Sequence, residues 1–222
     1  MGLGHSPSIV TNGLVLYLDA GNTKSYPGSG TTWTDLSGNG NGGSGAAYSS
    51  NGRGSIYLNA TPVACCSVAS LGIGSGPFTL SIAVSYSRVH TTTFEIPFWV
   101  GVDSGTAGYG LGYSKPNVAS MYAGWGSSSG EPTGYSRQLN TWYHLTATYN
   151  GTTNAFYVNG SVYSSQAYVA SNLTTGSVYL GGLNGPYYTF IGTVAVPMVY
   201  NRALTAAEVA QNFNALRGRF GV

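Results

Sequence analysis

The chain has 222 residues, 42% of them apolar and set in short runs, which suits a single β-sandwich domain and excludes a disordered chain. Charged residues make up only 6%, against roughly 25% in an ordinary soluble domain, and 34 glycines and 18 tyrosines fill much of the difference. A formal net charge of +2 gives no electrostatic footprint for nucleic acid, and no stretch approaches the run of about 18 apolar residues that reads as a membrane span.

Residues 1–12 contain Pro7 and two glycines without a sustained period, and read as an extended arm before one domain at 13–222. No charged and then apolar leader opens the chain, so no secretory signal is expected, and Met1 to Ser6 matches the myristoylation pattern only formally. Residues 14–19 form the first clear strand. Residues 21–54 are a glycine- and asparagine-rich excursion pinned by Trp33 and Leu36. Strand-like runs follow at 55–58, 78–86, 94–100, 109–113, 118–124, 142–149, 155–158, 178–180 and 190–200. Asn-Gly pairs begin at 12, 39, 41, 51, 150, 159 and 184, and this dipeptide accepts the positive φ that tight hairpin turns require. Many short strands separated by turn signals, with a single helix signal, predict an all-β antiparallel sandwich.

That helix starts at Thr205, a good N-cap, with Glu208 three residues on to complete a capping box. Leu204 and Val209 have the spacing of a hydrophobic staple, Val209, Phe213 and Leu216 share one face, and Gly218 reads as the stop. The cysteines are the neighbours Cys65 and Cys66. A bond between them would be strained and close no useful loop, so two buried, reduced thiols in a strand are expected, as suits a reducing cytoplasm.

The last third runs Trp142-Tyr143-His144, an Asn150-Gly151 turn, Phe156-Tyr157-Val158-Asn159-Gly160, then Gly192-Thr193-Val194 through Tyr200-Asn201-Arg202-Ala203-Leu204-Thr205. Earlier stands Trp33-Thr34-Asp35-Leu36-Ser37-Gly38-Asn39. This order resembles the concanavalin A-like, or laminin G-like, jelly-roll superfamily. The ending, Tyr200 to Val209 with Gln211-Asn212-Phe213-Asn214-Ala215 and Arg219-Phe220-Gly221, resembles the copies in tailed-phage virion proteins. The resemblance implies a jelly-roll sandwich with one short C-terminal helix. It also implies a non-enzymatic virion protein, a capsid decoration or fibre subunit assembled in the host cytoplasm, homo-oligomeric and in contact with capsid or tail proteins. The alternative is a lectin module, bacterial or phage receptor-binding, that recognises cell-surface glycans.

Glycosidases need two carboxylates about 5–9 Å apart. Here Glu95, Glu131, Glu208, Asp19, Asp35 and Asp103 are all isolated in sequence. His5 falls in the arm, His90 in a Thr-rich loop and His144 in a strand, and no Gly-x-Ser-x-Gly elbow is present, so no enzyme is expected. Relatives on this fold often bind calcium. Asp35-x-Ser37-x-Asn39-Gly40 imitates half an EF-hand loop, yet Ala46 stands where the bidentate Glu belongs. No metal is assigned, and a site across loops from Asp35, Asp103 or asparagines stays open.

Sugar binding needs an aromatic platform rimmed by amides and hydroxyls. Trp125 with Tyr122 and Tyr135 is one such candidate, and Tyr187-Tyr188 after Asn184-Gly185-Pro186 is another. In the strand after Gly192, Val196 and Met198 take positions where polar residues point outward in relatives, with Pro197 between them. Proline places this strand at an edge or a bulge, and its apolar face is expected to be an assembly interface unless the chain's own loops or arm cover it.

Overall fold

The computed structural model describes residues 7–44, 49–50, 53–89, 94–103, 107–113, 121–123, 135–168, 172–183 and 188–222. The strands, in chain order, are β1 (Leu14–Tyr17), β2 (Thr32–Trp33), β3 (Gly43–Ser44), β4 (Ser49–Ser50), β5 (Ile56–Asn59), β6 (Val63–Ser67), β7 (Phe78–Tyr86) and β8 (Glu95–Gly101). They continue with β9 (Gly108–Tyr113), β10 (Met121–Ala123), β11 (Trp142–Tyr149), β12 (Thr153–Val158), β13 (Ser161–Ala167), β14 (Ser177–Leu180) and β15 (Ile191–Tyr200), and the chain then enters helix α1 (Ala206–Phe220).

The larger sheet has eight strands, ordered β13-β12-β11-β7-β15-β5-β4 with β1 joined to β15. The smaller has five, ordered β10-β9-β8-β14-β6. All strand pairings are antiparallel. The sheets face each other across one core, in which Leu80, Ile82 and Val84 of β7 and Leu145 of β11 meet Phe98 and Val100 of β8 and Leu111 of β9. This is the sandwich the sequence predicts. β13, which the sequence reading missed, is an edge strand with a bulge opposite Phe156/Tyr157 and mostly exposed side chains. Its Ser-rich run carries little apolar signal.

The N-terminal element folds as expected. Trp33 is 1% exposed. Asp35 Oδ1 accepts from the backbone of Tyr17 and Ser37, both at 2.9 Å, and Oδ2 accepts from Asn41 N at 2.9 Å and Ser37 Oγ at 2.7 Å. The carboxylate is a turn organiser with four donors on it. Cys65 and Cys66 are free thiols, only half-buried because β6 is the edge strand of the smaller sheet, and burial still pushes the Cys66 thiol up to about 11.

α1 begins with the capping box, Glu208 N donating to Thr205 Oγ1 at 3.3 Å and Thr205 N to Glu208 Oε2 at 2.8 Å. It runs through Gly218 and stops at Gly221, whose φ of 74° a residue without Cβ adopts freely. The stop comes later than expected because the last turn is anchored. Phe220 stacks on Trp142 at 4.7 Å, and Arg219 pairs with Asp19 at 2.7 Å while donating to the carbonyls of Arg53 and Gly54.

The helix lies over the outer face of the larger sheet. Val196 and Met198 do point to that face, and both are fully buried in one cluster with Leu204, Val209, Leu216 and Phe220 of the helix region and Val10 of the arm. Pro197 is buried as well. The expected assembly interface is therefore roofed by the chain itself. Nor is β15 an edge, since it pairs with β7 on one side and with β5 and then β1 on the other. The proline is accommodated by a bulge. Pairing with β7 shifts between Ala195 and Met198, Val196 takes φ 46°, and the Pro197 carbonyl accepts from Leu18 N at 3.1 Å. The extra residue resets the alternation, so that Ala195, Val196, Met198 and Tyr200 all face the helix. A polar lock closes this layer: Tyr200 Oη donates to Val10 O at 2.9 Å, Asn212 Nδ2 donates to Tyr200 Oη at 3.0 Å, and Val10 N donates to Asn212 Oδ1 at 2.8 Å.

Candidate functional site

The outer face of the smaller sheet is built differently. β9 reads Gly108-Tyr109-Gly110-Leu111-Gly112-Tyr113. With a two-residue period, Tyr109, Leu111 and Tyr113 enter the core while the glycines leave bare backbone on the outside. The Trp99 indole from β8 lies over that strip. A Cβ on Gly108 would come within 2.2 Å of Trp99 Cζ2, and one on Gly110 within 2.6 Å of Cε3. Trp99, Ile96 and Leu183 form a small buried cluster, and Phe94, Tyr179 and Tyr188 pack against it half-buried. Tyr179 is the cross-strand partner of Trp99, and Phe94 bridges to Tyr188 with their rings 5.9 Å apart and tilted by 31°. Three partly open aromatic rings thus rim a rigid apolar floor, the kind of surface on which the apolar face of a sugar ring rests.

The sequence-predicted aromatics divide. Tyr188 belongs to this face. Tyr135 lies elsewhere, against Tyr143 at 5.9 Å and Tyr163 of β13 at 4.9 Å. Tyr122 is in β10, which pairs with β9 at the edge of the smaller sheet and delivers the chain to the segment that holds Trp125. Trp125 and Tyr187 lie outside the described residues. Phe94, Tyr179 and Trp99 were missed as site residues. The signal for them was the alternation of glycine with bulky residues in β9, which marks a strand face with room for a neighbour's large ring.

The described carboxylates other than Asp103 are each held by a cation or a turn. Glu95 is paired with Arg137, both almost wholly buried, with the guanidinium 4.3 Å and 3.8 Å over the rings of Tyr86 and Tyr113. Glu208 takes Arg202 through both oxygens, at 2.9 and 2.6 Å, which with the Thr205 contacts holds its carboxyl down near 2. Asp19 holds Arg219, and Asp35 organises its turn. Among the described residues no two carboxylates face each other across a cleft, and Glu131 lies outside them. His144 is buried beneath α1. Its Nε2 lies 3.1 Å from Ser81 Oγ, and burial pushes its pKa down to about 4. A hollow of about 400 Å³ beside β2–β3 includes Trp33, Asp35 and Cys65 in its wall, but the Trp33 ring is covered and the Asp35 oxygens are occupied.

A family model for the concanavalin A-like lectin/glucanases superfamily matches residues 64–210. No curated protein matches the chain by sequence. Among solved structures, Trypanosoma rangeli sialidase aligns with a TM-score of 0.71 at 21% identity, over 93% of this chain and 33% of its own. Domain 4 of AbnA, a GH43 extracellular arabinanase from Geobacillus stearothermophilus, in complex with arabinotriose, aligns at 0.65 and 17% identity over 90% of this chain and 97% of that one. The binding domain of Paraclostridial Mosquitocidal Protein 1 aligns at 0.67 and 18% identity, over 92% and 52%. At these identities the likeness is one of fold. The chain spans about a third of the sialidase's length.

Proposed function

The chain belongs to the concanavalin A-like lectin/glucanases superfamily, and from that premise we propose that it is a non-catalytic carbohydrate-binding module whose ligand rests on the outer face of the smaller sheet. The observation that carries this is the half-open rim of Phe94, Tyr179 and Tyr188 over the buried Trp99. The larger sheet's outer face is closed by the chain's own helix, whereas these rings keep part of their surface in water. A rigid aromatic floor needs little ordering when a sugar lands on it, which favours modest but usable affinity. The arabinotriose complex of the arabinanase domain, a whole domain of similar fold, supports the same reading.

Catalysis is left out of the proposal because the described carboxylates other than Asp103 are engaged singly with cations or a turn. A place on a phage particle keeps the wording of residues 200–215 and the low surface charge as its supports, and loses the apolar strand face that now lies under α1. The test is a glycan array followed by calorimetric titration of wild type and Tyr188→Ala. Binding in the micromolar range that falls tenfold or more in the variant is the expected result. An array without hits, or equal affinity in both proteins, would overturn the assignment.

A further inference from the structure

β13 ends the larger sheet and pairs on one side only, with β12. Among the described residues its backbone hydrogen-bonds to β12 and to nothing else, so a row of N–H and C=O groups faces water. Proteins commonly blunt such an edge with charge or proline. Ser161-Val162-Tyr163-Ser164-Ser165-Gln166-Ala167 holds neither, and no Asp, Glu, Lys or Arg occurs anywhere from residue 138 to 201. Instead Val162 and Tyr163 stand side by side on the edge, 58% and 47% exposed. A bulge at Tyr163 is the one blunting device, and its ring packs on Tyr135 with centroids 4.9 Å apart. Beyond it, Ser164 to Ala167 run in even register with β12.

We propose that β13 pairs antiparallel with β13 of a second copy of this chain, closing a twofold dimer in which the two larger sheets become one. The inference stands apart from the sugar reading. Self-pairing of these seven residues centres on Ser164 and sets Tyr163 opposite Ser165 and Val162 opposite Gln166. Each bulky side chain then meets a small or flexible polar one, and no charge meets a like charge. A foreign strand is selected by charge or by side-chain pockets, whereas an uncharged edge that matches its own copy favours self-association. The other sheet ends set the limit at two. β4 has two residues and β10 three, and β6 is bulged against β14 with Gly43 of β3 pressed on Cys65. Once the long edge is consumed in an isologous contact, the assembly closes instead of growing into a fibre. A twofold normal to the joined sheet turns both smaller sheets to the same side, so that two aromatic faces meet a multivalent surface together.

The experiment is light scattering on the whole chain, from micromolar to near-millimolar concentration, for wild type, Val162→Lys and Ser164→Cys. A contact made by one strand pair is small, so dissociation in the micromolar range is expected. Wild type should pass from the mass of one chain to that of two and stop there. Val162→Lys, a change at an exposed position, should raise the dissociation constant at least tenfold while the protein still unfolds cooperatively. Ser164→Cys sets two thiols opposite each other at the twofold, where paired Cα atoms lie about 4.5–5.5 Å apart, within disulfide reach. Mild oxidation should give a covalent dimer of that variant and none of wild type, whose Cys65 and Cys66 lie in the other sheet. A monomer at every concentration would overturn the proposal, as would a dimer that Val162→Lys leaves intact or that Ser164→Cys fails to trap. A mass that keeps rising would overturn the closed twofold and mark the edge as an open aggregation site.

Discussion

The two outer faces of this sandwich begin from the same problem and end in opposite states. Each sheet has an apolar core side, and each carries bulky residues on its other side as well. Behind the larger sheet, Ala195, Val196, Met198 and Tyr200 are sealed by α1 and the N-terminal segment. Behind the smaller sheet, Trp99 and Ile96 are sealed, while Phe94, Tyr179 and Tyr188 stay half-open. An apolar face is thus no guide to binding until one knows what the rest of the chain lays over it. The closed face stabilises the fold, and the open one is the face proposed for a ligand.

Changes behind the larger sheet should therefore cost stability, and changes on the open face should cost affinity. The largest effect is expected from removing residues 205–222, which uncovers the whole back layer. The product should be insoluble or bind a hydrophobic dye, and a soluble, cooperatively melting protein would contradict the roofing role. Acidification comes next. His144 is held near 4 by burial, against about 6.5 in an unfolded chain, so between those values the unfolded chain takes up a proton the native one refuses. Stability is intact above about 6.5 and falls as pH drops toward 4, by on the order of 3 kcal/mol. Urea melts should show wild type losing stability across that range and His144→Gln, which has no imidazole to protonate, losing less. Below it, Glu208, held near 2 by Arg202, adds a further loss. Third, Gly110→Ala puts a Cβ into the Trp99 ring and should cost about 1–3 kcal/mol in a thermal melt. Thr205→Ala, which deletes the cap of α1, should cost about 1 kcal/mol. Smallest in stability, under about 1 kcal/mol, is Tyr188→Ala. The same change should cost the most in sugar affinity, and that inversion is the sharpest test of the contrast.

Local signals were legible in the sequence and long-range coverage was not. The capping box at Thr205 and Glu208, the Trp33 anchor and the Asp35 turn are each specified within a few residues, and each folds as read. The outward direction of Val196 and Met198 was also readable. Their roof was not, because Val209, Leu216 and Phe220 announce only an apolar stripe and not the sheet it will meet. Asn212 is the clearest case. It looks like a surface residue, and its place at the centre of the helix-to-sheet contact depends on Tyr200 and Val10, which lie 12 and 202 residues away. The site was half-visible for the same reason. Tyr188 could be named from its neighbours in sequence, whereas Phe94, Tyr179 and Trp99 join it only through pairings of distant strands.

The position of β15 has a consequence for how the protein is made. It is an interior strand of the larger sheet and hydrogen-bonds to β7, β5 and β1, yet it is formed by residues 191–200. A growing chain on the ribosome can pair β7 with β11, β11 with β12 and β4 with β5, but β1 and the β4–β5 pair must wait for β15 to join that sheet. Until residues 191–200 emerge, β7 and β5 present bare edges to one another with no strand to join them. Folding is therefore expected to be slow and to be completed only after residues 191–200 have emerged. The interval of greatest exposure to aggregation closes only when that late strand is threaded between its early partners.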